Sequence, residues 1–164
     1  IEMMKKGGKV MEKRVADILE IAIKREEEAY DFYMDILSKV TDASVKGTLE
    51  FMASEEKKHK AFLVSYRDGH FGDTGLRMTD VVDYKIAEYL EEPDISAHSK
   101  PEDVYLVASH REARSHQFYT ELANLHAEGE PREMLIKMAN EELKHKEKAE
   151  YLYSNTAFPQ TSGG

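Results

Sequence analysis

The chain predicts an all-α fold, a four-helix bundle in which one long crossover connection joins the second helix to the third. Three observations carry that expectation. Apolar residues recur at helical spacing through most of the 164 residues, and strand-like alternation is nearly absent. Four long periodic segments are separated by capping and breaking residues. The first two segments also recur in the last two, since one constant offset carries Phe32-Tyr33 onto Phe118-Tyr119, Leu49 onto Leu135, Met52-Ala53 onto Met138-Ala139, and Lys58 and Lys60 onto Lys144 and Lys146. The period is too long for a solenoid module and two copies are too few for an array, so the pattern reads as two similar helical hairpins packed into one core.

The first helix is expected over residues 12–39. It breaks at Val40-Thr41-Asp42, where Thr41 and Asp42 are good N-caps for a second helix over 43–67. The third opens at Ser99, with Pro101 near its first position and Glu102 at the capping-box position, and runs to about residue 127. Gly129-Glu130-Pro131 separates it from the fourth, which fades near residue 155. Residues 68–100 form the crossover, with Gly69, Gly72, Gly75 and Pro93 around an amphipathic stretch, 79–91, patterned as a short helix. A connection of that length need not join antiparallel neighbours. Residues 1–11 are expected to be a flexible N-terminal segment, 12–155 the bundle domain, and 156–164 a flexible tail.

An apolar content of 41% is enough to build one core in a chain of this length. The net charge of −9 argues against a nucleic-acid surface and suits the attraction of cations. The basic cluster from Lys5 to Arg14 sits in the N-terminal segment. No apolar run approaches the roughly 20 residues needed to span a bilayer, and no signal-peptide core follows the basic start, so a cytoplasmic location is expected. With no cysteine, these residues hold no disulfide, thiolate zinc site or iron–sulfur cluster.

The repeat carries chemistry as well as packing. Glu-x-x-His occurs at Glu56–His59 and again at Glu142–His145, and a lone glutamate precedes each copy by the same interval, Glu26 and Glu112. The midpoint of Glu26 and Glu56 is Thr41, inside the first turn; that of Glu112 and Glu142 is Ala127, inside the second. At about 1.5 Å per residue each glutamate lies roughly 20 Å from its turn, so all four share one layer of an antiparallel bundle.

The apolar seams run through the same positions. On the second helix the seam reads Val45, Leu49, Met52, Glu56, His59, Leu63, Tyr66, and on the fourth Leu135, Met138, Glu142, His145, Ala149, Leu152. The first gives Val15, Leu19, Ala22, Glu26, Ala29, Tyr33, Ile36, and the third Val104 or Tyr105, Ala108, Glu112, Ser115, Tyr119, Leu122. Four carboxylates on buried stripes repel one another and lose their hydration, so they need positive charge between them. Two divalent cations balance them exactly in charge, with both imidazoles neutral. Positions i and i+3 lie on one helical face, so a Glu-x-x-His pair reaches one ion with the histidine while the glutamate extends between two. Carboxylates with one imidazole per metal suit iron or manganese, and zinc competes by affinity.

Other polar residues have plainer readings. Glu55 and Glu141 also precede the histidines, but the seam selects Glu56 and Glu142 and leaves these two as surface or supporting acids. His116, one turn from Glu112, reads as a partly exposed helix histidine, since its repeat counterpart is Tyr30. His70, His98, His110 and His126 read as loop or surface residues. Tyr33 and Tyr119 read as core aromatics with satisfied hydroxyls. The charge runs Arg25–Glu28 and Glu141–Glu150 are expected to be solvated faces apart from Glu26 and Glu142.

With these residues in place the chain resembles the rubrerythrin branch of the ferritin-like di-iron carboxylate proteins, over roughly residues 12 to 153. The resemblance rests on Glu26 with Ala29 and Tyr33, Glu56-Lys57-Lys58-His59, Glu112 with Tyr119, and Glu142-Leu143-Lys144-His145. It implies a ferritin-like bundle with two iron ions, manganese or zinc being alternatives, in which Glu56 and Glu142 bridge, Glu26 and Glu112 are terminal, and His59 and His145 bind one metal each. It further implies that Tyr33 and Tyr119 hydrogen-bond carboxylates of the site, and that the reduced centre reacts with peroxide or oxygen. Ferrous ion is the substrate in the ferroxidase alternative, and manganese catalase-like or purely structural roles are further ones. The family's additional glutamate on the third helix has no counterpart, the neighbours of Glu112 being Ala108, Ser109, Ser115 and His116. Without cysteine, electrons must come from an external donor. The family's habit of associating through bundle faces leads to an expected homodimer, with no nucleic-acid or membrane partner.

Overall fold

Helix boundaries fall where capping chemistry puts them. The computed structural model describes residues 3–6, 9–69, 76 and 78–159. Its elements are β1 (Met3–Lys6), β2 (Lys9–Glu12), α1 (Lys13–Lys39), α2 (Ala43–Arg67), α3 (Ile86–Tyr89), α4 (Pro101–Asn124) and α5 (Glu130–Ala157). The Asp42 carboxylate accepts the Val45 amide at 3.0 Å, closing the N-terminus of α2 as its sequence implies.

The cap of α4 differs from expectation. Lys100 rather than Ser99 is the N-cap, Pro101 is the first helical residue, and Asp103 rather than Glu102 accepts the Lys100 amide, at 3.4 Å. Ser99 instead closes the preceding turn, its Oγ accepting the Ser96 amide at 2.8 Å. Gly129, at φ 146°, caps α5, so Glu130 and Pro131 lie within its first turn rather than before it. A backbone at that φ is open to glycine and strained for other residues.

The N-terminal segment contains an antiparallel strand pair in which Met3 faces Glu12 and Lys6 faces Lys9. In the crossover, the stretch 79–91 is helical only at Ile86–Tyr89. Its amides go to side chains of α5 instead: Thr79 to Asn140 at 3.2 Å, Val82 to Glu147 at 2.9 Å and Ala87 to Glu150 at 2.8 Å. Those bonds give amides that lack a helical partner an acceptor on α5. At the other end, α5 runs to Ala157, and residues 160–164 of the tail lie outside the described residues.

The chain divides into two compact units, one of residues 1–37 and 48–75, the other of 38–47 and 76–164. In the first, α1 and α2 run antiparallel: Glu27 pairs with Lys60 at 2.8 Å, Glu20 with Arg67 at 2.7 Å, and Lys57 lies 5.4 Å from the centre of the Tyr30 ring. The buried seam of α2 is the expected one, from Val45 to Tyr66, and that of α1 runs from Leu19 to Ile36, with Val15 half-buried.

In the second unit, α4 and α5 pair in the same sense, and His116 donates from Nδ1 to the Ala139 carbonyl at 2.8 Å. A carbonyl only accepts, which fixes the His116 tautomer and gives this residue a helix-joining role. Here α4 is more deeply covered than a single seam: every residue from Val104 to Ser109 is buried. The crossover lies against it, with Leu90 O accepting from His110 at 2.8 Å and Glu92 bonded to Arg114 at 2.7 Å. No helix among the described residues is long and apolar enough to cross a membrane.

Candidate metal centre

Each helical pair brings its three predicted ligands together. In the first unit, Glu26 comes from α1 and Glu56 and His59 from α2, one helical turn apart. His59 Nδ1 lies 3.7 Å from a Glu26 oxygen and 3.9 Å from a Glu56 oxygen. In the second unit, Glu112 comes from α4 and Glu142 and His145 from α5. His145 Nδ1 lies 3.7 Å from Glu112 and 3.9 Å from Glu142, the same pair of distances. All six residues are 5% exposed or less, which places two converging carboxylates out of water in each triad.

These distances decide what kind of contact is made. They exceed hydrogen-bond range, so these Nδ1–carboxylate contacts are close approaches rather than hydrogen bonds. Ligand atoms about 2.0 to 2.2 Å from a common ion lie at most about 4.4 Å apart, and the observed separations fall inside that limit. The donor atoms of Glu26, Glu56 and His59 all lie within 4.8 Å of one another, as do those of Glu112, Glu142 and His145. Each triad carries two negative charges and one neutral donor, so one divalent cation per triad removes the repulsion. The residues present therefore fit a metal in each half, and oxygen-rich donors with a single imidazole suit iron.

The neighbouring acids separate as the seam implies. Glu55 is bonded to Lys58 at 2.7 Å and Glu141 to Lys144 at 2.7 Å, each partly exposed, whereas Glu56 and Glu142 are sealed. Tyr33 and Tyr119 are buried two turns beyond Glu26 and Glu112 on the same faces. Each meets the preceding phenylalanine edge-on, with ring centroids 5.4 and 5.2 Å apart.

A model of the family described as Rubrerythrin matches residues 17–153. The chain belongs to the rubrerythrin family. Its fold class is accordingly the ferritin-like helical bundle, and it is a di-iron carboxylate protein by family. No curated protein and no solved structure matches the chain. Within this rubrerythrin, His98 is exposed, while His110 and His126 each donate to a carbonyl at 2.8 Å, away from ligand duty. His70 lies outside the described residues.

One group of residues was not foreseen. The run Glu141–Glu150, expected to be solvated apart from Glu142, also buries Lys146 and Glu150, at 1% and 0% exposure. Lys146 Nζ donates to Asp83, to Glu150 at 3.0 Å and to Glu88 at 3.1 Å. Burial alone would lower the Lys146 pKa; the three carboxylate hydrogen bonds outweigh it and raise it above the ordinary lysine value. Burial likewise pushes Asp83 up, and Lys146, together with the Lys85 amide, brings it below the ordinary aspartate range. Oxygens of Asp83, Glu88 and Glu150 converge as a metal site would, but the cation among them is the Lys146 ammonium.

Proposed function

We propose that the two triads supply the six ligands of one di-iron centre and that the protein is a non-haem oxidoreductase reducing peroxide or oxygen there. The observation that carries this reading is the repetition of one buried triad, with the same 3.7 and 3.9 Å separations, in both helical pairs. When bound and reduced, a di-iron pair would supply the two electrons that, with two protons, convert hydrogen peroxide to two waters, and an external donor would restore them. Glu26, Glu56 and His59 would hold one ion, and Glu112, Glu142 and His145 the other.

Glu56 and Glu142, each one helical turn from its histidine, would offer carboxylate oxygens to the metals. The buried flanks of the seams, Leu49, Met52 and Leu63 on α2 with Leu135 and Met138 on α5, exclude bulk water and favour a small uncharged oxidant. In this reading the Tyr33 and Tyr119 hydroxyls donate hydrogen bonds to carboxylates of the centre, holding a proton at each Oη and orienting the ligands.

The alternative is a ferroxidase, for which ferrous ion is the substrate; the net charge of −9 favours cation capture. The two are separated by loading the protein anaerobically with ferrous ion and mixing it rapidly with hydrogen peroxide or with oxygen. Fast oxidation by peroxide with little by oxygen is the expected result. The reverse order supports the ferroxidase, and absence of any iron-dependent optical change sinks both.

A further inference from the structure

The duplicated triads are alike, but their surroundings are not. His145 is followed by Lys146, a buried ammonium that binds Asp83 and Glu88 of the crossover and Glu150 of its own helix. Around this point the crossover is stitched along the ligand-bearing stretches of both helices. On α5, Asn140 and Glu147 flank Glu142 and His145 and take the Thr79 and Val82 amides; on α4, His110 and Arg114 flank Glu112 and hold Leu90 and Glu92. In the other triad, the residue after His59 is Lys60, which is 42% exposed and pairs with Glu27, itself 48% exposed.

We propose that Lys146 is a positioning residue: by locking residues 79–92 onto α4 and α5 it pre-organises the Glu112–Glu142–His145 triad, which becomes the tighter and first-filled of two inequivalent metal positions. A triad whose helices are held by a buried network at both flanks loses less freedom on binding the ion than one in which the matching lysine makes a surface pair. A surface pair between long side chains restrains little. This inference rests on the dinuclear reading above and concerns the order and strength of loading, not the reaction.

The test is anaerobic titration of the full metal-free chain with cobalt(II), followed by calorimetry and by the visible absorption of the bound ion. Two resolved steps are expected, with His145→Ala removing the tighter and His59→Ala the weaker. Lys146→Met is expected to weaken the tighter step by about 10-fold or more, the size of effect usual for residues that support metal ligands. It should leave the weaker step and the cobalt spectrum of that step in place. Lys60→Met, at the matching position, should change neither. A general loss of stability would weaken both steps alike.

Because Lys146→Met leaves three carboxylates without their cation, Asp83→Asn provides a milder release. It should speed hydrogen exchange at the Val82 and Ala87 amides and weaken only the tighter step. Equal affinities in the unaltered protein overturn the proposal while leaving the dinuclear centre standing. So does a tighter step that disappears with His59→Ala, or faster exchange in Asp83→Asn with unchanged tight binding. Failure of the unaltered chain to bind cobalt at all overturns both.

Discussion

The α1–α2 pair and the α4–α5 pair carry the same candidate ligands at the same separations, yet they treat one shared residue in opposite ways. Lys60 and Lys146 follow the ligand histidines in corresponding places. The first lies at the surface against Glu27, and the second is buried among Asp83, Glu88 and Glu150. The difference teaches that the repeat preserves what two metals need and departs from itself where the crossover lands. Burial of a charged lysine is tolerated there because three carboxylates converge on it, two of them from the crossover.

The largest effect that would break this comparison is expected at Lys146. Lys146→Met should destabilise the metal-free protein by about 3 to 5 kcal/mol, since Glu150 is left buried without its cation. Lys60→Met should cost no more than about 1 kcal/mol, as exposed pairs do. Urea unfolding of the two variants measures the contrast, and equal losses would show that the lysines are not in different roles.

A second comparison concerns the apolar seams. Leu49 and Leu135 are repeat counterparts, each 1% exposed, so Leu49→Ala and Leu135→Ala should each cost about 2 to 5 kcal/mol. The two losses are expected to match closely. If Leu135→Ala costs much more, the crossover reinforces the second pair beyond its polar contacts; if the two agree, the asymmetry belongs to the lysine network alone.

How much of this was legible follows from which contacts are local. Seam positions and caps are set by neighbours within a turn, so α1, α2 and the burial of all six candidate ligands could be read from spacing, as could the deeper burial of Glu56 and Glu142 than of Glu55 and Glu141. Asp42 was readable as a cap for the same reason. Lys146 was not, because Lys60 stands in the same place in the repeat and nothing nearby in sequence separates them; Asp83 and Glu88, which do, are more than fifty residues away. The stretch 79–91 has amphipathic spacing, but only Ile86–Tyr89 is helical, and the Val82 amide before it is held by Glu147 of α5, a partner 65 residues away that spacing does not reveal. The β1–β2 hairpin had a signal that periodicity passes over, the Gly7-Gly8 pair between two short runs.

A smaller effect follows from Asp83, which faces Lys146 and Lys85 with Glu88 and Glu150 nearby. Its pKa is lower in the folded protein than in the unfolded chain, so its contribution to stability is complete above the ordinary aspartate range and is lost as pH falls through the depressed value. The stability gap between the unaltered protein and Asp83→Asn should therefore be full near neutral pH and close in acid. Lys146 works in the opposite sense, its contribution being lost only as pH rises through its raised value. Unfolding curves at several pH values check both limbs, and a gap that persists into strong acid would remove Asp83 from the network.

The smallest effect is expected at Lys85, which joins these groups through its backbone. Its φ of 55° and ψ of 28° are left-handed, and its amide donates to Asp83 at 3.0 Å. That conformation costs a lysine about 1 kcal/mol, less for asparagine and more for a β-branched residue. Lys85→Asn should thus be neutral or stabilising by a few tenths of a kcal/mol, and Lys85→Val destabilising by about 1 kcal/mol or more. If the crossover organises only the second triad, Lys85→Val will also weaken the tighter cobalt step while leaving the weaker one unchanged. A matching loss in the His59 half would mean that the crossover stabilises the whole protein without distinguishing its two metals.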